Sequence, residues 1–482
     1  VLKESPVFKT LEKNVKPGRT VCASGLSTIN KSNIIYALCR LKGVTAFCLA
    51  SDEKEAQTLC NDLSCMGLRA YVYPVRDFNF LDFQSRSHEY EHARLKVLLK
   101  LLNHECDVAI ACVDAAAQLT VPRNVLEQSV IEFEEGRELS LEKATKALTL
   151  LGYERFDAVE GSGQFSLRGG ILDFFMPDSD YPVRCEFWGD EITNLSYFDI
   201  ETQRRFKKAD KITLSPSTEI VIEDRAALAD KIEHKAKLLR SKNSAKAKEK
   251  LFSEAELIRS GAMIANADKF INQIYDKPES LFDYLDRNTL VFASEFTAIQ
   301  ERGKSMDFIS NETLMQGFED GTLCRGFDRF ALTFNECTEF LQSHGTIVLE
   351  NFVHGSMPIK LSEIISFSTK QLSAWGGSYK QLKEDVDGLF TPESKGVIFA
   401  GTERAAKNLC DTFNADGINA VYSEGADKIS KGELLVMQGA LSAGFEYPSQ
   451  KFFAITYSQV SYRPEKSKKK KKRTGQEIYS LS

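Results

Sequence analysis

The chain has 482 residues, 43% of them hydrophobic and 27% charged, which is the balance of an ordinary soluble globular protein long enough for about three domains. A formal net charge of −6 argues against a generally basic nucleic-acid binder, though not against a local basic patch. No apolar run approaches the roughly 18 residues of a membrane span, and the N-terminus lacks the apolar core of a signal peptide. The eleven cysteines form no C-x-x-C pair, and several sit in apolar settings such as Phe47-Cys48-Leu49, as in a reduced, cytoplasmic protein. Because the first residue is Val1 rather than Met, the chain reads as an excised fragment.

From 20 to 115, apolar strands alternate with helical patterns, the sign of a parallel α/β sheet. The strands are expected at Thr20–Ala23, Val44–Ala50, Ala70–Tyr73 and Val108–Val113, with helices over 31–42, 52–66 and 88–103. The first strand runs into Ser24-Gly25-Leu26-Ser27-Thr28-Ile29-Asn30-Lys31-Ser32, the position of a phosphate-binding loop. Gly25, Lys31 and Ser32 align with G-x-x-x-x-G-K-[ST]. Asn30 stands where the motif has its second glycine, at a point where backbone N–H groups must turn toward phosphate. A partner motif should end an apolar strand in Asp-Glu to order Mg²⁺. The candidate Thr289-Leu290-Val291-Phe292-Ala293-Ser294-Glu295 has Ser294 in place of that Asp. His88-Glu89-Tyr90-Glu91-His92 matches the zinc motif H-E-x-x-H, but a polar loop precedes it and only four other histidines exist, so it reads as a solvated helix start and no metal is expected.

Residues 118–210 read as one inserted α+β unit, with a strand at Ser129–Phe133 and a helix near 140–151 capped by Ser140. Within it, Gly152 to Arg205 is a run of short alternating segments split by Gly, Pro and Asp turns, as in a small antiparallel sheet. Side chains alternate between faces along a strand. Val183, Cys185 and Phe187 therefore share one face and Arg184, Glu186 and Trp188 the other, while Phe165 and Leu167 point inward and Gln164, Ser166 and Arg168 outward. Exposed arginines beside a tryptophan suggest a docking surface, since these types dominate interfaces. Lys211–Pro216 reads as a strand returning to the first domain, which 211–363 would complete.

The stretch 223–265, rich in Ala, Lys, Glu and Leu, reads as a long helix or helix pair whose interleaved acids favour a solvated face over a DNA contact. Thr346–Leu349 is a buried strand. Residues 364–463 form a separate small α/β unit, with strands at Gly396–Ala400, Ala420–Tyr422, Glu433–Met437 and Phe452–Thr456 and a helix over 403–415. The basic run Lys468–Arg473 within 464–482 reads as a solvated linker.

The words GxFSLRGGILDFF, PVRCEFWGDEI and FDIETQR carry a family resemblance over about sixty residues. They resemble the module shared by the excision-repair protein UvrB and the bacterial transcription-repair coupling factors (Mfd). The resemblance implies a multi-domain α/β chain: a degenerate RecA-like, helicase-type domain (1–117 and 211–363), an inserted α+β UvrA-binding module and a second, smaller α/β domain whose family role is the least certain. It also implies an adaptor that recruits UvrA to stalled RNA polymerase, with Arg168, Arg184 and Trp188 carrying the contact; the last is usually Phe in the family. UvrB has small residues where Thr28 and Ile29 fill the loop here, and it carries a tyrosine-rich DNA-gripping hairpin for which Phe78–Tyr90 is too short. No cofactor is expected for this region. ATP, Mg²⁺, RNA polymerase and double-stranded DNA would engage domains beyond it.

Two other readings stay open: a UvrB-type, DNA-dependent ATPase or helicase relying on Lys31, and a DNA-binding module using the lysine-rich helix and tail. On the adaptor reading, Arg184→Ala lowers UvrA affinity roughly 30- to 1000-fold and leaves the fold intact, because the side chain is expected to face solvent. The competing expectation is that Arg168 and Arg184 simply pair with neighbouring acids.

Overall fold

The computed structural model describes residues 1–76, 88–240, 244–261, 267–353, 357, 359–376, 378–425 and 429–457. Most of Phe78–Tyr90 and all of the basic tail lie outside that range. The chain divides into two compact units, Val1–Lys370 with Pro448–Gln450, and Gln371–Tyr447 with the residues from Lys451.

The first unit is built on a seven-stranded sheet in the order Glu363–Ser366, Val21–Ser24, Thr346–Glu350, Leu290–Ser294, Ala46–Ala50, Val108–Cys112, Ala70–Tyr73. Every pairing in it is parallel. Its central strands are apolar on both sides, as helices on both faces require. Val21, Ala23, Cys48 and Phe292 pack under Ile34, Leu38, Leu59 and Leu63 on one face. Cys22, Phe47, Leu49 and Val291 pack on the other with Leu95, Leu98 and Phe296. The expected strands and helices of 20–115 all form, but the first helix runs from Thr28 to Lys42, three residues earlier than its pattern suggested. Thr28–Ser32 therefore sit inside the helix rather than in a loop.

The inserted unit begins later and ends later than expected. Leu119 and Thr120 bond back to Phe330 and Glu279, and Leu119, Val121 and Leu126 belong to the core under the large sheet. Lys211–Leu214 does not return to that sheet. It pairs antiparallel with Ile131–Glu134, because Ile212 and Leu214 bury against Phe133 in the insertion's own core. The helix Leu141–Leu150 starts at Ser140, whose side chain accepts from the Lys143 N–H. Six strands form the main sheet in the order Arg205–Lys208, Glu191–Phe198, Val183–Trp188, Ile171–Phe174, Gln164–Arg168, Glu154–Arg155. Two-residue turns at Gly169-Gly170 and Gly189-Asp190 close its hairpins. At Gly170 a Cβ would lie 2.8 Å from the Phe187 carbonyl oxygen, so this turn has no room for a side chain.

The lysine-rich stretch folds as the helices Arg225–Leu238 and Ser244–Arg259, which bury Leu228, Ile232, Leu251 and Ile258 against Phe270 and Phe327. In the second unit the strands Lys395–Phe399, Glu433–Met437, Ala420–Tyr422 and Phe452–Thr456 are mutually parallel. They pack against the helix Glu403–Ala415. No described helix is long and apolar enough to cross a membrane. None of the eleven cysteines is in a disulfide, and ten are buried.

Candidate functional site

The sheet of the inserted unit places the three expected partner-binding residues on one face. Val183–Trp188 alternates between the two faces: Val183, Cys185 and Phe187 are buried in the core, and the partly buried Arg184 and Glu186 and the exposed Trp188 take the opposite side. Register across the hairpins aligns Ser166, Asp173, Arg184 and Ser196 in one row and Arg168, Ile171, Glu186 and Asn194 in the next. Trp188 caps its strand beside the Gly189-Asp190 turn and is 82% exposed.

The two arginines differ sharply. Arg168 is 53% exposed and donates one bond, 3.1 Å, to Asp173 Oδ2. Arg184, expected to face solvent, is only 13% exposed. Its Nε and Nη2 donate to the two Asp173 oxygens, both at 2.8 Å, and its Nη atoms donate to the Gln203 carbonyl and side-chain oxygens. Its guanidinium lies 4.4 Å from the centre of the fully buried Phe198 ring. The bonds to Asp173 raise its pKa above the usual arginine value. Ser166 is also buried rather than outward-exposed, donating to the Asp157 carbonyl. The face is therefore roofed at its centre, by the turn around Gln203 and by the chain at Asp157, and open at Arg168 and Trp188. Asp173, 1% exposed and shared by both arginines, was not singled out from the sequence. Its signal was an acid between Leu172 and Phe174 on the outward parity.

The phosphate-loop position lies at the end of Val21–Ser24, where a nucleotide would meet the carboxyl ends of a parallel sheet. Here the chain's own atoms fill it. Gly25 (φ 78°) donates its N–H to Asn351, and Leu26 donates to Glu350. A Cβ on Gly25 would stand 2.3 Å from the Phe367 carbonyl oxygen, because the edge strand Glu363–Ser366 continues across the loop. Thr369 donates to the Gly25 carbonyl, and Asn30 donates to Thr369 and Ser27.

Lys31 is 2% exposed and bonds Glu295 at 2.6 Å, Ser294 at 2.9 Å and Glu55 at 3.2 Å. Ser32 donates to the buried Asp62 and back to Thr28. Glu295 reaches Lys31 from a left-handed backbone (φ 57°), uncommon for a side-chain-bearing residue. Beside it Glu350 accepts from the Phe296 N–H, and burial together with the Glu295 carboxylate pushes its pKa up to about 7. At this position the N–H groups of Gly25 and Leu26 are spent on the Asn351 and Glu350 carbonyls, and Lys31 is enclosed by Glu55, Ser294 and Glu295. Sequence reasoning had found Lys31 and Ser294 but neither Glu55 nor Glu350.

His88 and His92 stack with ring centres 5.9 Å apart. His92 is packed against Gly163 of the insertion, and burial lowers its pKa. The helix start thus takes part in seating the insertion and is not simply solvated. Glu91 accepts from the Thr218 hydroxyl and the Glu219 N–H. A cavity of about 750 Å³ is lined by His88, Glu91 and His92 together with Glu154, Gly163 and Gln164 of the insertion, and by none of Arg168, Arg184, Trp188 or Lys31. No cluster of three or more metal-ligating side chains occurs among the described residues.

Comparison with known proteins adds lineage to this geometry. Residues 131–220 match the model of the UvrB interaction domain, a span that runs from the Ile131–Glu134 strand past its partner Lys211–Leu214. The transcription-repair-coupling factor of Bacillus subtilis (strain 168) is 26% identical over 99% of this chain and 41% of its own length. Those of Staphylococcus epidermidis and Staphylococcus haemolyticus are 25% and 24% identical over 84% of the chain and 35% of their own lengths. The chain thus spans about two fifths or less of these relatives. It resembles the bacterial transcription-repair coupling factors along nearly its whole length, and its residues 131–220 match the UvrB interaction domain.

Proposed function

We propose that this chain is the adaptor region of a cytoplasmic transcription-repair coupling factor. It presents the open end of the 164–208 sheet to UvrA and so brings nucleotide excision repair to stalled RNA polymerase. The observation that carries the reading is a match to the UvrB interaction domain coinciding with a face that exposes Trp188 and Arg168 at one end of a rigid antiparallel sheet. Trp188 is 82% exposed, and tryptophan is among the residue types that anchor protein interfaces. RNA polymerase and duplex DNA are engaged by the parts of the coupling factor that lie beyond this chain.

The phosphate-loop position takes no nucleotide in this proposal. What supports this is the enclosure of Lys31 by Glu55, Ser294 and Glu295 and the seat of Phe367 against Gly25. A phosphate there would bring negative charge against carboxylates already in excess over the lysine. The test is titration of UvrA and, separately, of Mg-ATP into the 482-residue chain. The reading expects saturable UvrA binding and no ATP binding or turnover. ATP turnover lost on Lys31→Ala would favour a UvrB-type ATPase instead.

A further inference from the structure

Two guanidiniums converge on one buried carboxylate, and they use it unequally. Arg184 commits four of its five N–H groups, two to Asp173 and two to Gln203, with its flat side on Phe198. Arg168 commits one, to the same Asp173 Oδ2 that Arg184 holds. With Arg184 enclosed and Arg168 half exposed, the donors left for a partner belong almost wholly to Arg168.

The local charge points the same way. Two arginines against one aspartate leave a positive charge on the face, and Glu186 cannot cancel it because it is paired with Arg205. Strand spacing of roughly 5 Å puts Arg168 about 10 Å from the Glu186 position, two strands away, with Trp188 the next outward residue beyond it.

We propose that Asp173 is the positioning residue of this face: it holds Arg184 as an internal counter-charge and aims Arg168 at a carboxylate on the partner, beside an apolar side chain that rests on Trp188. This rests on the adaptor reading and assigns the arginines different tasks. Arg168 contacts the partner, and Arg184 fixes the clamp. An arginine tethered by one bond to an immobile carboxylate loses little conformational freedom on binding, and that pre-organisation is what Asp173 supplies.

The experiment is a double-mutant cycle on UvrA affinity, with thermal melting of every variant. Arg168→Ala is expected to weaken UvrA binding roughly 30- to 1000-fold at an unchanged melting temperature. Arg168→Lys, which keeps the charge but not the fork, should weaken it about 10-fold or more, also without a melting shift. Asp173→Asn should weaken binding about 10-fold in the wild-type background and less than about 2-fold in the Arg168→Ala background, since it acts through Arg168. A merely structural Asp173 would weaken binding equally in both backgrounds, which would overturn the proposal. So would Arg184→Ala that loses affinity at an unchanged melting temperature, because Arg184 would then be the contact. If Asp173→Asn fails to fold, Arg168→Lys decides: full affinity for that variant removes the aimed fork. Wild-type chain that binds no UvrA contradicts the adaptor reading itself, whereas wild-type binding with an additive cycle contradicts the clamp alone.

Discussion

Two charge clusters of the same body unit make opposite use of the same ingredients. At the phosphate-loop position one lysine faces Glu55 and Glu295, with Glu350 behind, all turned inward. On the inserted sheet one aspartate holds two arginines, with the surplus turned outward. At the carboxyl ends of the parallel sheet, burial and the neighbouring Glu295 carboxylate push the Glu350 pKa up to about 7, which favours a lower negative charge on the cluster. Surplus positive charge at the rim of an antiparallel sheet stays solvated and available. On the proposed function, the first cluster is a closed structural knot and the second an open half of a recognition site.

The sharpest way to break this contrast is to remove the cation of the inner cluster. Lys31→Met should cost about 3–5 kcal/mol of stability, because it leaves buried carboxylates facing one another. The check is the denaturant midpoint, and an unchanged midpoint would mean that the cluster is not the knot described. Arg184→Ala comes next: it leaves Asp173 buried with a single bond from Arg168 and should cost about 1–3 kcal/mol. Arg168→Ala removes a half-exposed partner and should cost no more than about 1 kcal/mol by the same measurement. If the two arginine variants melted alike, the division between inner and outer arginine would fail.

A pH series sharpens the inner half. The ordinary Glu value is 4.5 and Glu350 is raised to about 7. Between those values the folded chain keeps a proton that the unfolded chain has released, so stability falls as pH rises through that window and the loss is complete above it. Glu295, Lys31, Cys22 and the Phe296 N–H face this carboxyl. Glu350→Gln stays neutral, so its stability relative to wild type should climb from about pH 4.5 to 7 and then level. A flat difference would mean that Glu350 is ionised in the folded chain throughout. The smallest effect is on the outer half: Trp188→Ala should lower UvrA affinity about 10-fold, with melting unchanged because the ring is 82% exposed.

Much of the fold was legible because period-two and period-3.6 patterns are local. Val183–Trp188 could be sorted into faces from its own six residues, and the strands at Ala70–Tyr73, Ala420–Tyr422 and Phe452–Thr456 lie where the pattern put them. Lys211–Leu214 was misplaced because the choice between two sheets depends on Ile131–Glu134, nearly eighty residues away, and not on its own apolar alternation. The outward parity of Arg184 was readable, but its enclosure was not. A neighbour one strand over, a turn at Gln203 and a ring at Phe198 close over it only once register is fixed. At the phosphate loop the missing glycine and the Ser294 substitution were visible. The seat of Phe367 over Gly25 joins positions more than three hundred residues apart, and no local pattern reports it.

On the proposed function, the open end of the inserted sheet is a partner surface on which Arg168 makes the contact. Calorimetric titration of UvrA into the 482-residue chain and into its Arg168→Ala variant, with melting curves for both, tests this most directly. Saturable wild-type binding is expected, falling roughly 30- to 1000-fold in the variant while the two melting curves superimpose. Equal affinity for wild type and variant would contradict it.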